Sequence, residues 1–336
     1  MNKTFVRILL ILGIIILIAG IGYTSYGVYK KVTLDVPNPV ATIEIKDYGT
    51  IKIELYPDKA PNTVANFIRL ANREFYDGST FHRTMPNFVI QGGAKDGDTT
   101  ASPKLSDIYD LDEVLNNKKV FEKILDEFYD GEFTTEDNKK ITSYSDFKKY
   151  KKDYEKQHAG DENASVNSEF ADFLDTEYNI KGEFIANRDD NNNLKHEEGV
   201  ISMARSDYST YGYTSEGYDS AGCQFFIMSA DNTQLDGLYA SFGKVIEGMD
   251  VVEKIANVEV YYRDDEVDDD FEAPKDEDGE TIASDTPKVE PVITSIRVET
   301  YGIDYGAPET IVPFDVSKIF SGLYNYWFIG MTIKPK

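Results

Sequence analysis

A single cysteine, Cys223, among 336 residues excludes any internal disulfide and leaves the redox compartment open. With only three histidines beside it, the chain lacks the ligands for a Cys/His zinc site, and no metal centre is expected. Positive charge is scarce as well. The 35 Lys and Arg face 60 Asp and Glu, giving a formal charge of -25. Such a surface repels phosphate backbones, so no nucleic acid partner is expected. It suits cationic clients or weak divalent cation binding instead. Apolar and aromatic residues are plentiful. At 41% and 13% of the chain they suffice for a packed core and argue against wholesale disorder. The length suits one core with additions, and no internal repeat is visible.

One long hydrophobic run stands out, Phe5 to Gly22, broken by Arg7 and preceded by Lys3. Its length lies at the lower edge for a membrane span, and Tyr23 to Tyr29 extend it through the interface. The positive flank predicts a cytoplasmic N-terminus at residues 1–4, a transmembrane anchor in the lipid bilayer at 5–26, and a linker at 27–39. A cleaved signal peptide is the alternative, with Gly20 and Gly22 as small residues at a cut. Both readings place the body outside the cytoplasm.

Val40 to Ile45 and Gly49 to Leu55 alternate apolar with polar residues around Asp47-Tyr48-Gly49, a hairpin pattern. Pro57 to Arg73 reads as a helix whose stripe is Val64, Phe67, Ile68 and Ala71. Residues 80 to 93 return to strand. From about Ala101 to Lys181 charge rises and helical periodicity takes over. Ile108, Leu111 and Leu115, then Phe121, Ile124, Leu125 and Phe128, predict one helix or a broken pair capped by Ser106. Phe147, Tyr150 and Tyr154 mark another helix within Ser145 to Gln157, and Phe170, Phe173, Leu174 and Tyr178 a third stripe. Gly199 to Ile255 turns back to strands, with a short helix near Met249 to Ile255. Asp264 to Glu280 is acidic and aperiodic, a solvated loop. Asp264, Asp265, Glu266, Asp268, Asp269 and Asp270 offer oxygen ligands without the spacing of a calcium loop. Val292 to Glu299 alternates as a closing strand. Val316, Ile319, Phe320, Leu323 and Trp327 predict an amphipathic C-terminal tail that docks on protein rather than lipid.

Candidate chemistry gathers in separated segments. The first runs Phe81-His82-Arg83-Thr84-Met85-Pro86-Asn87-Phe88-Val89-Ile90-Gln91-Gly92-Gly93. If 88–91 is a strand, Phe88 and Ile90 face one way, Val89 and Gln91 the other. Alone, this would be a strand entering a glycine turn, and Arg83 a surface arginine. Further on come Gly199-Val200-Ile201-Ser202-Met203-Ala204-Arg205, then Ser220-Ala221-Gly222-Cys223-Gln224-Phe225-Phe226-Ile227, then Leu235 to Gly243. Together, and in this order, the segments resemble the cyclophilin family of peptidyl-prolyl isomerases.

That resemblance covers pieces near 40–98, 182–262 and 290–300. It implies a mainly β fold: a closed eight-stranded antiparallel barrel capped by two helices, with a peptide groove on its outside. The expected organisation is a core in two parts, 40–98 and 182–301, the second containing the acidic loop 264–280. A helical subdomain at 99–181 interrupts it, and the tail 302–336 follows. By resemblance Arg83 is the catalytic arginine, with Gln91 holding it or a substrate carbonyl. Phe88, Val89, Phe226, Leu235 and Tyr239 line the proline pocket. Gln224 holds the substrate backbone, Ala204 and Arg205 pair with the bound peptide through their own backbone, and His82 is peripheral. No cofactor is implied. Four positions depart from the family pattern: Tyr239 stands for a frequent His, Gln234 for a frequent Trp, Arg205 for a commoner Asn, and Cys223 for a small polar residue. The expected activity is peptidyl-prolyl cis-trans isomerisation of exported or surface proteins containing proline. The alternative is a non-catalytic peptide-binding chaperone using the groove and the insert.

Overall fold

Alternation decides the first hairpin, β1 (Val40–Ile45) and β2 (Gly49–Leu55). Ala41, Ile43 and Ile45 bury one face of β1, and Ile51, Ile53 and Leu55 one face of β2. Asp47 at φ 65° and Gly49 at φ 122° make the turn between them. This is the expected hairpin. The computed structural model describes residues 36–319 except 96–98, 101, 160, 162–164, 264–266, 268–270, 277–278 and 280. The apolar run expected as an anchor therefore lies outside the described residues, as do the acidic run's six named carboxylates and Phe320, Leu323 and Trp327 of the tail. No helix among the described residues is long and apolar enough to cross a membrane.

Helix α1 (Pro61–Asn72) begins at Pro61, later than the Pro57 expected, because residues 57–60 form a turn closed by the Ala60 amide on the Tyr56 carbonyl. It buries Val64, Phe67, Ile68 and Ala71 as the stripe requires, and Asn66 and Leu70 besides. The remaining strands of the main sheet are β3 (Thr80–Thr84), β4 (Val89–Ala94), β8 (Val200–Met203), β9 (Phe225–Met228), β10 (Ser241–Glu247) and β11 (Ile293–Glu299). All eight pair antiparallel in the order β11-β1-β2-β10-β8-β9-β4-β3. Register shifts in β1, β10 and β3 curl the sheet, as bulges do. Its ends meet at one bridge, Thr80 with Val292. The ladder thus stops short of the continuous ring expected for a closed barrel. Phe225 sits at the centre of the core, its ring 5.7, 5.6 and 6.2 Å from Phe67, Tyr76 and Phe81, all edge-on.

Between β4 and β8 the chain forms α2 (Leu105–Ile108), α3 (Leu111–Asn116), α4 (Lys118–Phe128) and α5 (Tyr144–Gln157). The minor hairpin β5 (Phe133–Thr134) and β6 (Lys140–Ile141) lies within this stretch, and a 3₁₀ turn Ser168–Leu174 follows it. The expected single or paired helix over 108–128 is in three pieces, because Tyr109 and Asn117 are extended. Ser106 lies inside α2 and does not cap it. The Asp107 carboxylate accepts the Lys104 amide there, and Asn117 caps α4 by accepting from Val120. Phe121 stacks on Phe147 and Phe173 at 5.0 and 4.9 Å, an aromatic centre within residues 111–174 that is continuous with the main core.

The flanks of this stretch behave differently. Arg69 and Arg73 of α1 donate to the carbonyls of Ile108 and Asp107 at 2.7 and 3.1 Å. Tyr178 lies beyond the stripe it was expected to extend, and donates to Asn66 of α1 at 2.7 Å. Strand β7 (Asn179–Ile180) sends its Ile180 amide to the Ala221 carbonyl at 2.8 Å. Replacing 111–174 by a short Gly-Ser linker should leave one cooperative unfolding transition for the remainder, because longer loops add little closure entropy. Removing 99–181 would delete buried Leu105, Ile108 and Tyr178, each worth roughly 2–5 kcal/mol. Denaturant melts of the two deletions decide between them: equal stability would show that the flanks are dispensable.

Two short pieces complete the frame. The helical turn α6 (Thr214–Tyr218) lies near the groove, and α7 (Met249–Ala256) buries Val251, Val252 and Ile255. After β11, β12 (Thr310–Ile311) pairs with β7. Of the tail residues described, Ile319 is buried and Val316 exposed.

Candidate functional site

Between β3 and β4 the partners are Phe81 with Gly92, Arg83 with Gln91, and Thr84 with Ile90. His82 is therefore an extra residue, a bulge. Without it Phe81 and Arg83, two apart, would share a face. The bulge sends Phe81 into the core, fully buried, and leaves Arg83 outside with its side chain 40% exposed. At Gly92 a Cβ would lie 2.6 Å from the Thr80 carbonyl oxygen, so only glycine allows this approach of β3. Gly93, at φ 88°, supplies the positive φ expected of the pair.

Arg83, Gln91, Phe226 and Ser202 are successive cross-strand partners on β3, β4, β9 and β8, so they form one row on one face. Val89 and Met228 are paired two residues along and extend that face. Ile90, Ile227 and Ile201 make the alternate row in the core. Adjacent Phe225 and Phe226 thus separate, one into the core and one into the satellite cluster with Val89, Phe88, Leu235 and Tyr239. Phe88 departs from the strand expectation. It precedes β4 in a turn made by Asn87 at φ 56°, and packs beside Val89 rather than on Ile90's side.

A cleft of about 160 Å³ is lined by Arg83, Phe88, Val89, Gln91, Ala204, Arg205, Phe226, Leu235 and Tyr239. The Tyr239 ring stands perpendicular to Phe226 at 5.3 Å. The Arg205 guanidinium covers Tyr239 at 4.7 Å and Tyr218 at 4.9 Å, donating to the carbonyls of Leu238 and Ser206. Gln91 does not hold Arg83: its Nε2 donates to Gln224 Oε1 at 3.2 Å, and Gln224 Nε2 donates to the Thr99 carbonyl at 2.7 Å. Gln91 lies on β4, next to the strand of Arg83, and Gln224 at the edge of β9, one strand further on, so the two amides reach each other across adjacent strands. The Ala204 amide donates to the Gln224 carbonyl at 2.9 Å.

Two supports were not legible in the sequence. Arg83 Nη2 lies 3.2 Å from Met85 Sδ and 3.9 Å from Asp285 Oδ2, while Arg263 Nη1 reaches Asp285 Oδ1 at 3.1 Å and the Thr84 carbonyl at 3.0 Å. Asp285 is buried and comes from an aperiodic segment two hundred residues away, so no spacing announced it. Behind Phe226 lies His196, its ring parallel to Phe226 at 6.0 Å. His196 Nε2 lies 3.1 and 3.2 Å from the hydroxyls of Ser202 and Ser241, and Nδ1 3.5 Å from Asp236. Ser202 and Ser241 are fully buried, so this Ser-His-Asp grouping packs beneath the cleft and meets no substrate. Burial lowers the His196 pKa, against the opposing pull of Asp236.

Cys223 is buried, and burial pushes its thiol up to about 12, a packed side chain rather than a nucleophile. Among the described residues no group of three His, Cys, Asp or Glu is placed to hold a metal. His82 has a buried, unpartnered Nδ1, and burial, then the Arg83 charge, lowers its pKa from 6.5 to about 4. The unfolded chain takes up a proton below about 6.5 while the native ring resists it, so stability is present above that pH and lost as pH falls towards 4. The loss approaches about 3 kcal/mol. Denaturant melts at pH 7 and 4.5 should show a steeper loss in the wild type than in His82→Phe; equal losses would refute this.

Residues 40–272 match the family described as cyclophilin type peptidyl-prolyl cis-trans isomerase/CLD. Peptidyl-prolyl cis-trans isomerase B of Bacillus subtilis is 28% identical over 216 residues, 64% of this chain and 90% of that protein. A peptidyl-prolyl cis-trans isomerase of Acinetobacter baylyi is 30% identical over 222 residues, 64% of this chain and 72% of its own. A solved cyclophilin type peptidyl-prolyl cis-trans isomerase of Cryptosporidium parvum is 19% identical and aligns over 77% of this chain and 96% of that one, at a TM-score of 0.41.

Proposed function

The chain belongs to the cyclophilin-type peptidyl-prolyl cis-trans isomerases and is an isomerase of that kind; from this premise we propose how its groove performs the reaction. Rotation about an Xaa-Pro bond is slow because amide resonance is lost, at a barrier near ~20 kcal/mol. No bond to the enzyme need form. A groove accelerates the rotation by holding the twisted amide better than either planar form. The prolyl ring enters the cleft against Phe88, Val89, Phe226, Leu235 and Tyr239. Arg83, at its rim, donates towards the imide nitrogen, whose lone pair becomes available as resonance is lost. The paired amides of Gln91 and Gln224, with the backbone at Ala204 and Arg205, hold the flanking chain while the other side turns.

The observation that carries this reading is the row Arg83, Gln91, Phe226 beside a small cleft with Phe88, Val89, Leu235 and Tyr239 in its wall. His82 serves indirectly, as the bulge that turns Arg83 outward. Clients are proline-containing polypeptides outside the cytoplasm, a reading supported by the apolar run at 5–22 with Lys3 and Arg7 at its start. That run anchors the enzyme in the bilayer, and the helical residues 111–174 handle clients. A protease-coupled Xaa-Pro assay on the full-length chain tests the chemistry. Protease protection of the body in sealed vesicles tests the side on which it stands. Rates equal to buffer would favour the non-catalytic peptide-binding alternative.

A further inference from the structure

The segment between α7 and β11 turns back on itself beside the end of β3. The Tyr261 amide donates to the Thr286 carbonyl at 3.0 Å, the Asp285 amide to the Tyr262 carbonyl at 2.9 Å, and Val260 bridges Pro287. This short antiparallel ribbon is clipped to β3 at one residue. The Thr84 amide donates to the Asp285 carbonyl at 2.9 Å, and the Thr84 carbonyl accepts from Arg263 Nη1 at 3.0 Å. Thr84 follows Arg83 directly. The clip therefore grips main chain one residue from the arginine at the cleft, and brings the side chains of Asp285 and Arg263 to it.

Those side chains set a carboxylate between two guanidiniums. Arg263 Nη1 reaches Asp285 Oδ1 at 3.1 Å, a charge-assisted hydrogen bond, while Arg83 Nη2 stands 3.9 Å from Asp285 Oδ2. The second distance is too long for a hydrogen bond but short enough for attraction. Side-chain exposure is graded to match: 4% for Asp285, 16% for Arg263 and 40% for Arg83. A carboxylate so buried needs a counter-charge, and Arg263 supplies it. Among the described residues, the hydrogen-bond acceptor of the Arg83 guanidinium is Met85 Sδ, a weak one, and Gln91 is engaged by Gln224. Charge, more than hydrogen bonding, thus sets where the guanidinium points. That division has a chemical use. A bidentate pair with Asp285 would occupy the N–H groups that the imide nitrogen requires, whereas a carboxylate at 3.9 Å steers them and leaves them free.

We propose that Asp285 is a positioning residue for Arg83, and that Arg263 holds Asp285 in place and offsets its charge. The proposal rests on Arg83 being the group that acts on the twisted amide. Asp285 itself touches no substrate, because it lies buried behind the cleft rim and is absent from the cleft lining.

The test is a double-mutant cycle on the full-length chain with a minimal Xaa-Pro peptide, reading kcat and KM separately. Asp285→Asn removes the charge but keeps the size, an acceptor for Arg263, and tolerance of the φ of 60° found there. It should lower kcat by about tenfold, with KM little changed. In an Arg83→Ala background the same change should have no further effect, because the group it positions is gone. A purely structural role would cost both backgrounds the same factor. A second readout is rotation of the Arg83 guanidinium, followed by nitrogen-15 exchange spectroscopy and assigned by its loss in Arg83→Ala. Rotation should quicken several-fold in Asp285→Asn. Should that variant unfold, Arg263→Lys repeats both measurements with a smaller effect, keeping the counter-charge but giving up the fork that also grips Thr84. A wild type without turnover whose Arg83 still loosens in Asp285→Asn would contradict the reaction and leave the positioning standing. Equal factors in the two backgrounds, or unchanged rotation, would overturn it.

Discussion

Arg83→Ala should lower kcat/KM on a minimal Xaa-Pro peptide by roughly 100-fold, the effect of removing one donor aimed at developing charge. The loss should fall mainly on kcat, because the planar ground state gives the guanidinium little to grip. Stability should move by less than about 1 kcal/mol, since the side chain is 40% exposed and its contact with Asp285 is long at 3.9 Å. Arg83→Lys keeps the charge without the planar fork and should fall between the two. Kinetics combined with a denaturant melt separate the outcomes. A variant that loses activity only in step with its folded fraction would reduce Arg83 to a structural part.

The adjacent phenylalanines should respond in opposite ways. Phe225 meets Phe67, Tyr76 and Phe81 in the centre of the core, so Phe225→Ala should destabilise by roughly 3–5 kcal/mol. Whatever remains folded should keep near-normal affinity for peptide. Phe226 borders the open cleft, so Phe226→Ala should cost about 2 kcal/mol of stability and raise peptide Kd by at least tenfold. Melts and peptide titrations on both variants test this. Similar losses of affinity in the two would mean that alternation does not divide the roles.

That division was legible in the chain because strand side chains have a period of two, and 225–226 lies in a regular strand. The hairpin 40–55 and the stripe of α1 were legible for the same kind of reason. Arg83 was not placed by periodicity. Its outward turn depends on a bulge at His82, which an alternating pattern over Phe81, Arg83 and Gln91 cannot reveal. The Gln91–Gln224 pair and the Asp285–Arg263 support depend on which strands become neighbours, a property of topology rather than of any local window. Phe88 was misplaced because Asn87 adopts a positive φ that starts the strand one residue late, at Val89. In the helical stretch the apolar spacing found the helices and allowed one break, whereas the chain breaks twice: at Tyr109, whose carbonyl is held by Arg73 of α1, and at Asn117, whose side chain caps the next helix.

The central claim is that Arg83, Phe226 and their neighbours hold the twisted prolyl amide. Exchange spectroscopy on a short Ala-Pro peptide measures this without a coupling protease, as the cis–trans exchange rate with and without the full-length chain. The account predicts line broadening at substoichiometric enzyme, with exchange raised from tens of seconds to well under a second, and its disappearance with Arg83→Ala at unchanged fold. Exchange in the presence of folded wild type that stays at the uncatalysed rate would contradict it.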